Sequence, residues 1–108
     1  MTDLAKLSND AVTAKLKAEA VAPDYPDKGS CNLDSTFYCL GKGEKSAPVV
    51  AAFEIAGLKA SATRWIGRGV MVYPPTDACA DRRHQVNEVF IHVMRNAGWP
   101  VIGYYQLD

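Results

Sequence analysis

Two short apolar runs flank the strongest helical period in the chain, and this pattern limits the fold more than any other feature. GVMVYPP (residues 69–75) starts after a glycine and is stopped by two prolines. It reads as a strand, being rich in β-branched residues and bounded by breakers. Val86, Val89, Phe90, Val93, Met94 and Ala97 then recur with the helical period over about residues 78–97. Thr76 or Asp77 supplies the start, and Asn96 and Gly98 supply the stop. PVIGYYQL (100–107) reads as a closing strand.

The same alternation is legible upstream. TFYCL (36–40) predicts a strand, and Gly41 to Lys45 break it. From Ser46, a fitting N-cap, Val49, Ala52, Phe53, Ala56, Gly57 and Ala60 keep helix spacing. SNDAVTAKLKAEA (8–20) predicts a first helix. Ser8 is its N-cap, Leu7 and Val12 form a hydrophobic staple, and Val12 and Leu16 make a thin apolar stripe. Residues 21–35, with two prolines, a glycine and Asp24, Asp27 and Asp34, form a long irregular connector.

The expected fold class is α/β: an N-terminal helix followed by β-α-β-α-β, with a small three-stranded, largely parallel sheet covered by helices. An α+β fold, with residues 49–58 as a strand, is the alternative, because β-branched residues are frequent there. A chain of 108 residues with 48% hydrophobic and 22% charged residues fits one globular domain spanning 1–108.

Charge narrows the partners. The formal net charge is zero, which disfavours duplex DNA as a dominant partner. Yet Arg64, Arg68, Arg82, Arg83 and Arg95 all fall in the second half. Arginine suits bidentate contacts with carboxylate or phosphate. The N-terminus lacks the basic and apolar regions of a signal peptide, and no apolar run approaches the length of a bilayer span. A cytoplasmic protein with no membrane partner is expected.

GKGEKS (41–46) stands between a strand and a helix, as a phosphate loop does. It is two residues too short for a Walker A loop, and its second glycine is displaced. A weaker reading survives. In a parallel sheet the loop 41–46 and the segment 74–84 share one edge, where helix N-termini favour anions. Lys42, Lys45, Ser46, Arg82 and Arg83 are the ligand-binding candidates there.

Cys31, Cys39, Cys79 and His84 lack the tight spacing of a zinc knuckle, so no metal and no cofactor is expected. A Cys31–Cys39 bridge is compatible with their shared turn. His84, Glu88 and His92 lie off the apolar stripe of the last helix and read as a solvated face. No catalytic set is legible. Tyr, Trp and Arg are the residue types that dominate binding hot spots. Arg64, Trp65, Arg68, Tyr104 and Tyr105 are therefore the candidate partner-binding surface. The leading expectation is an accessory or regulatory protein that binds another protein and is able to form a homo-oligomer. The alternatives are an anionic-ligand or enzymatic site at the 41–46 and 74–84 edge, and nucleic-acid binding by the arginine-rich half with base stacking on an aromatic.

Overall fold

A computed structural model describes residues 2–27, 33–78 and 80–105. Its elements are α1 (Leu4–Val21), a 3-10 turn (Ala22–Asp24), β1 (Ser35–Cys39), α2 (Ser46–Ile55), β2 (Ala60–Arg64), β3 (Arg68–Val72), α3 (Ala80–Asn96) and β4 (Val101–Tyr104). The four strands form one sheet in the order β2-β3-β1-β4, and every neighbouring pair is antiparallel.

The expected three-stranded, largely parallel sheet is therefore wrong. The helix over 46–55 is present, so the alternative strand over 49–58 is wrong as well. What the sequence reading missed is β2, hidden in ASATR. Its residues are small and show no clean alternation of apolar and polar. A hairpin through residues 65–67 joins it to β3, with Trp65 N–H donating to the Gly67 carbonyl at 3.1 Å. This extra strand reverses β3 relative to β1. α2 and α3 then each connect two strands that run in the same direction but are separated by a third. The connectivity after α1 is that of a split βαβ, or ferredoxin-like, unit.

The helices cover one sheet face. Tyr38, Val70, Val72 and Val101 point into it and are buried with Val49, Phe53, Val86, Phe90 and Met94. α1 is wedged between α2 and α3, touching both. Its buried stripe is Leu7, Ala11, Ala14 and Ala18, while Leu16 is 61% exposed. The expected Val12–Leu16 stripe thus faces outward. A third helix fits this groove only with small side chains along its contact line. Ser8 is not the cap. Asp3 is, accepting from Lys6 N–H at 3.0 Å. Ser8 instead lies mid-helix, and its hydroxyl donates to the Ala52 carbonyl of α2 at 2.6 Å.

One buried polar link fixes α3 on the sheet. Thr36 Oγ1 donates to Asn87 Oδ1 at 3.0 Å, and Asn87 Nδ2 donates to the Ser35 carbonyl at 3.0 Å. Among the described residues no helix is long and apolar enough to cross a membrane.

Candidate functional site: the aromatic layer on the uncovered sheet face

Alternation along the strands sends Ser35, Phe37 and Cys39 of β1 to the face that carries no helix among the described residues. Gly69 and Met71 of β3, Ser61 and Thr63 of β2, and Ile102 and Tyr104 of β4 go with them. No charged side chain stands among these residues. Phe37 nevertheless is fully buried, at 0% exposure. Trp65, projecting from the end of β2, covers it edge-on with centroids 5.4 Å apart and continues to Tyr104 at 4.8 Å. Both contacts are T-shaped, the arrangement in which a positive ring edge meets a negative ring face.

Gly69 makes this layer possible. A Cβ there would lie 2.1 Å from Phe37 Cζ, so the ring lies flat across the β3 backbone only because position 69 has no side chain. Trp65 remains 43% exposed and the adjacent Ile66 61% exposed. Trp65 and Ile66 are thus the exposed part of this layer, with Ile102 and Tyr104 half-buried beside them and Phe37 and Met71 buried beneath.

The end of the sheet beside Trp65 is basic. Arg64 and Arg68 face each other across the β2–β3 ladder. The loop 41–45 joins them there, since Leu40 N–H donates to the Arg68 carbonyl at 3.1 Å and the Arg68 guanidinium reaches the Glu44 carbonyl. Glu44 is turned inward. Its carboxylate accepts from Thr2, from Tyr38 Oη at 3.0 Å and from Gly41 N–H at 2.9 Å. Partial burial pushes its pKa up, but these hydrogen bonds and the nearby Arg68 charge outweigh it and leave the pKa below the ordinary value. Burial, and then the Glu44 carboxylate, push the Tyr38 phenol up to about 12. Lys42, Lys45 and Arg64 form no ion pair among the described residues.

The five expected ligand-binding residues do not meet. Lys42, Lys45 and Ser46 follow the end of β1, whereas Arg82 and Arg83 lie beside its beginning, on the order of 15 Å away along the strand. Antiparallel β3 carries its following segment to the opposite edge, which removes the shared rim. Arg82 Nε donates to the Tyr25 carbonyl at 2.9 Å, and Arg83 Nε to the Asp34 carbonyl at 2.9 Å. Burial lowers the Arg83 pKa, and the Asp34 charge opposes that shift. Ser46 is the first helical residue rather than the cap, which is Lys45.

Of the five expected partner-binding residues, Trp65 and Tyr104 touch, and Arg64 and Arg68 flank them. Tyr105 is elsewhere. It lies toward the helices, where its hydroxyl donates to Glu88 and its ring stands 5.8 Å from His84. Burial, followed by Glu88, raises its phenol to about 12. His84 Nδ1 lies 2.6 Å from Asp34 Oδ2, and His92 pairs with Asn96 at 3.1 Å. His84 and Glu88 thus tie α3 to the segments around it while remaining partly exposed, and His92 is exposed as expected. Cys39 is a free thiol, while Cys31, and with it the bridge the spacing allows, and Cys79 lie outside the described residues. Phe37 was missed as a member of the layer. Its signal was the pairing of a mid-strand aromatic with a strand glycine, which becomes visible only once β1 and β3 are known to be neighbours.

No protein-family model, no curated protein and no solved structure matches the chain.

Proposed function

We propose that this chain is an accessory or regulatory protein that binds a partner protein through the uncovered sheet face, with Trp65 at the centre of the contact. The supporting observation is the half-exposed Trp65, packed on Phe37 and Tyr104 and preceded in the chain by Arg64, which forms no ion pair among the described residues. A rigid indole held by two neighbours loses little entropy on contact, which favours it as an anchor. The surrounding charges select the partner: an apolar segment flanked by Asp or Glu. The face itself has no cation and the whole chain has zero net charge, so a phosphate backbone is a poorer match.

The test is affinity capture from the native host with wild type, with Arg64→Glu/Ile66→Asp, and with Leu16→Asp as a surface control on the helix layer. Ile66 and Leu16 are each 61% exposed, so both substitutions spare the core. The expected result is an acidic protein retained by wild type and by the control and lost with the double variant. Recovery of single-stranded nucleic acid in its place, or equal capture by all three, overturns the reading.

A further inference from the structure

β2 is an edge strand whose free side has a definite register. Tyr73 N–H donates to the Lys59 carbonyl at 3.0 Å, and Trp65 N–H to the Gly67 carbonyl at 3.1 Å. These bonds place the odd-numbered residues of β2 in the hydrogen-bonded pairs with β3. In an antiparallel ladder the intervening residues turn their N–H and C=O groups away from the neighbour. Ala60, Ala62 and Arg64 therefore direct both groups out of the sheet. Edges are commonly blunted by proline, lysine, a bulge or an overlying segment. ASATR has no proline, its one charged residue is Arg64 at the strand's end, its ladder with β3 runs without a bulge, and Ala62 is exposed.

The opposite edge is occupied at Val101. Cys39 N–H donates to the Pro100 carbonyl at 2.8 Å, which makes Val101 and Gly103 the outward residues of β4. Val101 gives its N–H to the Trp99 carbonyl at 2.9 Å and accepts from Arg95 Nε at 2.8 Å. At Gly103 the Tyr105 hydroxyl occupies the space of a Cβ, 2.2 Å from it.

We propose that the β2 edge is a homodimer interface, at which a second copy of this chain pairs antiparallel about a two-fold axis through Ala62. The outward set is self-complementary. Ala62 meets its own equivalent and Ala60 meets Arg64, so every outward N–H and C=O finds a partner. Each Arg64 stands opposite an alanine rather than another arginine, and zero net charge removes long-range repulsion between copies. The small side chains offer no pocket to select a foreign strand, because β-augmentation draws specificity from alternate side-chain pockets. The identical strand of a second copy fits without one. The product is one eight-stranded sheet with both Trp65 side chains on the same face, about 20 Å apart along the strands.

The test is sedimentation and light scattering of the full chain over micromolar to millimolar concentrations. Ala62→Pro removes an outward N–H and leaves the β2–β3 bonds intact, as tolerated on edge strands. Ser61→Pro, which removes a bond to β3, is the contrast. The expected result is a dimer for wild type and a folded monomer for Ala62→Pro. Ala62→Cys supplies a readout that does not depend on the folding of the proline variant. Hydrogen-bonded antiparallel partners have Cα atoms about 5.5 Å apart, within disulfide range, so mild oxidation links the two copies through position 62. A wild type that stays monomeric throughout, or a dimer that survives Ala62→Pro and forms no link at position 62, overturns the proposal.

Discussion

At the scale of single residues, two side chains carry consequences beyond their own contacts. Gly69 lets Phe37 lie across β3, and Gly69→Ala forces a Cβ to 2.1 Å from that ring. The ring is held on the other side by Trp65, so relief comes only by displacing the layer. A loss of about 1–3 kcal/mol is expected, as for other overpacked cores. Adding Phe37→Leu should recover part of it. Urea denaturation of the two single variants and the double variant measures this coupling.

Glu44 carries the second consequence. Its folded pKa lies below the ordinary glutamate value of 4.5, so the folded state favours the carboxylate. That stability is fully present above the unfolded pKa and is lost as pH falls through the folded value. Wild type should therefore lose stability relative to Glu44→Gln below about pH 4.5 and show no such divergence near neutrality. Denaturation midpoints of both proteins across that range give the comparison.

At the scale of elements, α1 and α3 illustrate opposite uses of helix period. In α3 the expected Val86, Phe90 and Met94 are buried, because large apolar residues already mark its inner face. Asn87 is buried beside them, since it is the residue that satisfies Thr36 and the Ser35 carbonyl. Asn87→Ala leaves those groups unpaired and opens a cavity. A loss of roughly 2–4 kcal/mol is expected, read as a fall in thermal midpoint. α1 shows the converse. Ala11, Ala14 and Ala18 lie inward and Leu16 outward, so hydrophobicity alone ranks its faces wrongly. Ala14→Leu should destabilise by about 1–3 kcal/mol, whereas Leu16→Ser should change stability by less than about 0.5 kcal/mol.

At the scale of the molecule, the proposed partner contact should depend on salt. Lys42, Lys45 and Arg64 stand at one end of the sheet, so affinity for an acidic partner should fall as ionic strength rises, chiefly through slower association. Lys42→Ala/Lys45→Ala should flatten that dependence, while Arg82→Ala should not, because Arg82 lies at the far end and donates to Tyr25. Association rates measured at low and high salt check both statements.

Local pattern was enough to locate β1, α2, β3, α3 and β4. Strand and helix periods are properties of neighbouring residues, and Gly, Pro and Asn mark their ends. Pattern also drew attention to Trp65 beside two arginines. Tertiary structure decided the rest. A period states which residues share a face, not which face meets the core, and only the narrow groove between α2 and α3 made alanine the inner face of α1. Strand direction is likewise not local. It turned on β2, a strand of small residues that owes its conformation to pairing with β3, and that one hairpin separated Lys42 from Arg83 while placing Trp65 over Phe37.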